Sequence, residues 1–195
     1  MFNINEVAQR NNKVARVALR VNPNVDPKTH PYISTGLKKS KFGIDIAKAR
    51  EEYARAANFS SLELSGVHCH IGSQITTISP FSDAVEKVVE LVTSLRSDGH
   101  EIRFLNLGGG LGISYEDEVP PHPNDYAEAI VPLIKDLGCK IIFEPGRFIS
   151  GNAGVLVTKV LYRKENPEKR FVILDAGMND LIRPSLYEAF QEILP

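Results

Sequence analysis

Four short apolar, β-rich stretches, at residues 14–21, 62–68, 102–107 and 140–143, recur along this chain with one helical pattern after each. Strand starts fall roughly every 40 residues, the rhythm of βα units on a parallel sheet. Asp45 is placed to cap a helix over 46–57. Ser79 or Pro80 opens another over 81–97, with Val85, Val88, Val89 and Val92 on one stripe. Asn124 or Asp125 opens a third that runs to Leu137, is kinked by Pro132 and is ended by Gly138. Two architectures accommodate such units: an open doubly wound sheet, or a (β/α)8 TIM barrel. Four units fill only part of a barrel, which takes about 250 residues. The pattern then changes. Residues 155–162 and 171–174, separated by a polar turn, read as an antiparallel pair beginning another domain. The expectation is an α/β chain with one domain over 1–152 and the start of a β domain over 153–195. Its first and last strands would then be open edges.

Composition narrows the classes of function. At 195 residues, 43% hydrophobic and 24% charged, the chain has enough apolar material for a sizeable core, so disorder is not expected. The net charge is −1 and Lys and Arg are scattered. The densest basic run, Lys38-Lys39-Ser40-Lys41, reads as a solvated loop, which argues against a nucleic-acid partner. Two cysteines, Cys69 and Cys139, form neither a disulfide framework nor a zinc knuckle and fit a reducing cytoplasm. No apolar run is long enough to span a bilayer, and residues 1–6 lack the regions of a signal peptide, so the expected location is cytoplasmic.

The chemistry-bearing residues gather at the ends of the expected strands, where ligands collect in α/β folds and barrels. After the fourth strand comes Glu144-Pro145-Gly146-Arg147. Pro145 fixes its own φ and pushes Glu144 toward an extended conformation, which ends the strand. Gly146 admits backbone geometry closed to other residues, and N–H groups in such a turn can cradle an anion. Glu144 is left at the strand tip, able to meet a protonated ring nitrogen. The alternative is a proline-glycine turn with two solvated charges. After the second strand, His68-Cys69-His70-Ile71-Gly72-Ser73-Gln74 offers an imidazole that can lie on an aromatic ring, with a hydroxyl and N–H groups for phosphate. His68 and His70 alternate onto one face as zinc ligands would, but His30, His100 and His122 supply no matching arrangement, so no metal is expected. Core packing of His68 is the other reading.

The third strand runs into Asn106-Leu107-Gly108-Gly109-Gly110-Leu111-Gly112. Its glycines let the backbone approach a ligand and expose N–H groups. This is no dinucleotide fingerprint, because Ile113 stands where the third glycine belongs and no helix follows at once. A structural glycine turn is the alternative. Further on, Arg183 and Tyr187 lie four apart beside Pro184, a helix-start residue, and so can face one pocket. Arginine grips carboxylates through paired hydrogen bonds, which suggests a carboxylate-bearing substrate; an exposed salt-bridging arginine is the alternative.

In this order, the motifs 70–74, 106–112, 144–152 and 175–187 resemble those of the diaminopimelate decarboxylase family, as do Lys41-Phe42-Gly43-Ile44 and Ser34-Thr35-Gly36. The resemblance runs from about Arg16 onward. It implies a partial barrel of the alanine-racemase-like type that uses pyridoxal 5'-phosphate, followed by a β domain. It further implies that His70 stacks on the pyridine ring and Glu144 pairs with the ring nitrogen, both as catalytic groups, and that Ser73, Gly110 and the turn Pro145-Gly146-Arg147 hold the phosphate. Arg147, Arg183 and Tyr187 are implied to bind substrate carboxylate. The implied reaction takes meso-diaminopimelate to L-lysine and CO2, in a homodimer with a shared active site. The family's cofactor lysine, in a motif like Val-Lys-Ala-Asn, has no counterpart here, and neither has its later Cys-Glu-Ser segment. The chain therefore reads as the central part of a decarboxylase, inactive alone. A related decarboxylase for carboxynorspermidine, arginine or ornithine is the alternative, and a non-catalytic cofactor-binding or regulatory remnant is the alternative of another class.

Overall fold

A computed structural model describes residues 1–27 and 41–195. Ser34-Thr35-Gly36, His30 and Lys38 to Ser40 of the basic run lie outside the described residues. The elements of the parallel sheet are β1 (Ala15–Asn22), β2 (Ile44–Asp45), β3 (Leu62–Cys69), β4 (Phe104–Asn106) and β5 (Lys140–Ile142). All its pairings are parallel, in the order β2-β1-β3-β4-β5. The helices are α1 (Phe2–Arg10), α2 (Ala49–Ala56), α3 (Ser79–Ser97) and α4 (Pro123–Ile134). β1, β3, β4 and β5 add one after another in a single direction, the two-residue β2 pairs on the other side of β1, and α2 packs on α3 and α3 on α4. Successive helices in mutual contact lie on the same side of the sheet. Helices on one side are barrel geometry, since a doubly wound sheet places helices on both faces.

Side chains alternate across the sheet. Val21, Val67, Cys69 and Leu105 point into the helix layer and are buried. There they meet the apolar stripe of α3, whose Phe81, Ala84, Val85, Val88, Leu91, Val92 and Leu95 recur at helical spacing and are buried as well. Each such aliphatic side chain stabilises the fold by about 1.5–3 kcal/mol relative to exposure. Tyr53 of α2 is fully buried in the same layer, and its hydroxyl donates to the Gly66 carbonyl at 2.6 Å. Register brings Arg20, His68, Asn106 and Ile142 side by side on the opposite face. Ala18 and Ile142 are exposed there, as befits the interior wall of a barrel that this chain only partly encloses.

Several boundaries differ from those expected, each for a local reason. The helix expected over 46–57 begins as a 3-10 turn over Ile46–Lys48, with the Asp45 carboxylate accepting the Ala47 N–H at 3.1 Å, and becomes α2 only at Ala49. α4 starts at Pro123 rather than Asn124 or Asp125. His122 is its cap: Nδ1 accepts the Asn124 N–H, and the Asp125 carboxylate accepts the His122 N–H in return. α4 ends at Ile134, short of Leu137, and a turn leads to Gly138 at φ +64°. β4 stops at Asn106 because Gly108 adopts φ +68°. The antiparallel pair is β6 (Val160–Glu165) with β7 (Arg170–Leu174). Its first strand starts at 160 rather than 155 because β7 ends opposite Val160, leaving the earlier residues no partner strand. Two short helices, α5 (Gly146–Ser150) and α6 (Arg183–Tyr187), follow the third and fourth chemistry-bearing motifs. α1 was not expected from the sequence; a Glu6–Arg10 ion pair one turn apart supports it. No helix of the described residues is long and apolar enough to cross a membrane.

Candidate active site

The C-terminal tips of β3, β4 and β5 bring His70, Asn106 and Glu144 together through one hydrogen-bonded network. Asn106, the last residue of β4, accepts the Gly108 N–H on Oδ1 at 2.8 Å and donates Nδ2 to Glu144 Oε1 at 2.7 Å. The Glu144 backbone N–H donates to the Gly108 carbonyl at 2.8 Å, so both ends of Glu144 are tied to the β4 tip. Gly109 donates its N–H to His70 Nδ1 at 3.1 Å. Nδ1 therefore carries the lone pair, and the ring proton sits on Nε2. Burial lowers the His70 pKa, the Arg20 guanidinium lowers it further, and Glu144 only partly opposes both. The result is a neutral, oriented imidazole, suited to lying flat on a ring.

The glycine run has steric reasons that the sequence could only suggest. A Cβ on Gly109 would run into the Glu144 carbonyl, and one on Gly110, at φ +117°, into the Gly72 carbonyl. The Gly110 carbonyl accepts the Ile75 N–H at 2.9 Å, which joins the β3 and β4 loops.

At the β5 tip, Pro145 (φ −77°, ψ 52°) forms an inverse γ-turn in which Gly146 N–H donates to the Glu144 carbonyl at 2.7 Å. The Gly146 N–H is thus taken within the turn, whereas the sequence had suggested it for an anion. The next amides, on Arg147 and Phe148, fall in the first turn of α5, where no intrahelical acceptor exists. Arg147 donates Nε to Ser73 Oγ at 3.0 Å and Nη1 to the Tyr115 hydroxyl at 2.5 Å. Ser73 accepts from Arg147 and keeps its own hydroxyl proton for another partner. Arg183 lies with its guanidinium carbon 5.3 Å from the Tyr187 ring centroid and 5.9 Å from that of Tyr115. The expected pairing of Arg183 and Tyr187 one helical turn apart is present, and Tyr115 joins it.

Sequence reasoning assigned no cofactor-site role to four contributors. Arg20 is a lone charge in an apolar strand, visible by period-two alternation; it sits beside His68 in register and donates Nη2 to the His70 carbonyl at 3.3 Å. His68 places Nε2 3.9 Å from Glu144 Oε1, and that nitrogen is buried without a hydrogen-bond partner among the described residues. Its pKa is lowered by burial first, with Glu144 opposing and Arg20 adding. Asn106 carries no signal of its role beyond its place before the glycines. Tyr115 carries none at all.

A neutral imidazole, a fixed carboxylate, a hydroxyl with a spare proton and two guanidiniums form a donor set that fits an aromatic ring with a basic nitrogen and a phosphate. The unpartnered His68 Nε2 and Arg183 Nε mark places where that set is incomplete without a ligand.

A parallel barrel wall with this cluster at its strand tips defines a cofactor-binding barrel domain. The chain belongs to the pyridoxal-dependent decarboxylases: residues 1–151 match the family's pyridoxal binding domain. It is 55% identical over 193 residues to the diaminopimelate decarboxylase of Aquifex aeolicus, covering 98% of this chain and 46% of that protein. It is 51% identical over 192 residues to that of Haemophilus influenzae, with the same two coverages. The crystal structure of diaminopimelate decarboxylase from Helicobacter pylori complexed with L-lysine matches with a TM-score of 0.92 at 47% identity, covering 98% of this chain and 49% of that one. That of M. jannaschii in co-complex with L-lysine matches with a TM-score of 0.86 at 46% identity, covering 97% and 45%. The chain spans about half the length of the curated relatives it matches.

Proposed function

We propose that this chain supplies the cofactor-binding wall of a pyridoxal 5'-phosphate-dependent enzyme that decarboxylates meso-2,6-diaminopimelate to L-lysine and CO2. The observation that carries this reading is the double tethering of Glu144 to the β4 tip, with its carboxylate held by Asn106 at 2.7 Å. A carboxylate so fixed is suited to pair with a protonated ring nitrogen, and His70 presents the flat face of a neutral ring nearby. Ser73, Gly110, Pro145, Gly146 and Arg147 border the phosphate end. The Ser73 hydroxyl proton and the first-turn amides of α5 are the available donors. Arg147, Arg183 and Tyr187 take the substrate carboxylates. When bound, the cofactor supplies an electron sink for the charge left as CO2 departs; keeping its ring nitrogen protonated is the task of Glu144. His70 Nε2–H and Arg20 complete the polar border of the ring.

No lysine motif of the Val-Lys-Ala-Asn kind occurs in this sequence, so the chain by itself is read as catalytically incomplete. Residues 1–152 form the cofactor domain in this reading, and 153–195 the opening of a β domain that brings Arg183 and Tyr187 to the site. A cytoplasmic homodimer with a shared active site completes it.

The test is a full-length hybrid in which this chain replaces the matching segment of the Aquifex aeolicus relative. It should release CO2 from meso-diaminopimelate in preference to ornithine, arginine or carboxynorspermidine, and Arg183→Ala should raise KM for diaminopimelate at least about tenfold through the lost paired hydrogen bonds. A preference for one of the other amino acids, or an unchanged KM, contradicts the substrate assignment.

A further inference from the structure

We propose that Tyr115 is a positioning residue that sets the separation of Arg147 and Arg183, and thereby the length of dicarboxylate the site accepts. This rests on the function proposed above and deepens it.

Tyr115 stands on a braced piece of backbone. Just before it, Gln74 clamps Ile113 from both sides, donating Nε2 to the Ile113 carbonyl at 2.5 Å and accepting the Ile113 N–H on Oε1 at 3.1 Å. Gly112 N–H donates to the Ile75 carbonyl at 3.1 Å, beside a parallel bridge between Ile75 and Leu111. Just after it, the Glu118 carboxylate accepts the N–H groups of Tyr115 and Glu116 at 2.9 and 2.8 Å, and Ser114 Oγ donates to the Glu118 carbonyl at 2.6 Å. A loop tied by these six hydrogen bonds has little freedom, so its side chain can serve as a reference post.

Both arginines use that post, each differently. Arg147 donates Nη1 to the hydroxyl and Nε to Ser73, which leaves both Nη2 N–H groups and the second Nη1 N–H for another partner. Its guanidinium carbon lies 5.8 Å from the Tyr115 ring centroid. Arg183 meets the rings of Tyr115 and Tyr187, contacts that hold a guanidinium through its π face and keep its N–H edge available. Two cations thus share one aromatic ring, and among the described residues neither has an ion-pair partner. An anionic ligand is the natural counter-charge, and a fixed separation between the two cations selects among such ligands by length.

In the hybrid holoenzyme, Tyr115→Phe keeps the ring and removes the acceptor for Arg147, whereas Tyr115→Leu removes both contacts. For Tyr115→Phe the expected result is a KM for diaminopimelate raised about tenfold, with kcat and the cofactor dissociation constant, read by absorbance titration, each within about twofold. For Tyr115→Leu the expected rise is about a hundredfold, together with weaker discrimination against shorter amino dicarboxylates. An unchanged KM in Tyr115→Phe overturns the proposal and leaves the proposed function standing. A loss confined to melting temperature, or to cofactor affinity, overturns it too, since either marks a structural or cofactor role. If Tyr115→Leu fails to fold, Tyr115→Phe decides alone. A parent hybrid that binds the cofactor but does not decarboxylate diaminopimelate refutes the substrate reading, and the Tyr115 assignment falls with it.

Discussion

Asn106 and Glu144, 38 residues apart on neighbouring strand tips, share a 2.7 Å hydrogen bond in which the amide holds one carboxylate oxygen in place. The amide oxygen accepts the Gly108 N–H, so the Asn106 side chain cannot rotate without breaking two bonds. Asn106→Leu keeps the bulk and removes both. In the hybrid enzyme it should lower kcat about tenfold while leaving KM nearly unchanged, and Glu144→Gln should lower kcat by about a hundredfold or more. Equal effects of the two variants on KM instead of kcat would place the pair in substrate binding.

Gly109 is the second lever on the same carboxylate. An added methyl would meet the Glu144 carbonyl, a backbone atom that can yield only by moving the β5 tip. Gly109→Ala should destabilise the protein by about 1–3 kcal/mol in chemical denaturation and weaken cofactor binding, read by absorbance. Gly99→Ala is the comparison: a Cβ there meets nothing within 4 Å, although its φ of +91° carries backbone strain. It should affect stability without affecting cofactor affinity. Undiminished cofactor binding in Gly109→Ala would show that the β4–β5 contact is not what holds the site.

Acid should unfold the chain through its imidazoles. His68 and His70 both have folded pKa values below the ordinary 6.5, chiefly from burial. As pH falls past 6.5 the unfolded chain binds protons that the folded chain refuses, so stability rises with pH. This contribution is complete above about pH 6.5 and is lost progressively below it. Urea midpoints measured between pH 7.5 and 5.5 should fall, and His70→Gln should reduce the fall. A midpoint that rises on acidification would mean that the imidazoles are charged in the folded state.

Much of the fold was legible because strands and helices differ in apolar period. Val85, Val88 and Val92 are buried as their spacing required, and all four expected strands formed, the third shortened where Gly108 turns the chain. Apolar periodicity alone left the choice between barrel and open sheet open, since it depends on which side the crossovers pack; the motif resemblance implied the barrel, and the mutual contacts of α2, α3 and α4 agree with it. His70, Glu144 and Arg147 stood out because an ionisable residue at a strand tip breaks the local pattern. Asn106 and Tyr115 did not, because their importance lies in partners 38 and 32 residues away. Gly146 was legible as a turn, but the destination of its N–H depended on the ψ of Pro145.

The most direct measurement is CO2 release from meso-diaminopimelate by the 195-residue chain alone and by the full-length hybrid, both supplied with pyridoxal 5'-phosphate. The account predicts no release above background from the chain and turnover by the hybrid that Glu144→Gln lowers by about a hundredfold or more. Turnover by the chain alone, or a hybrid indifferent to Glu144, would contradict it.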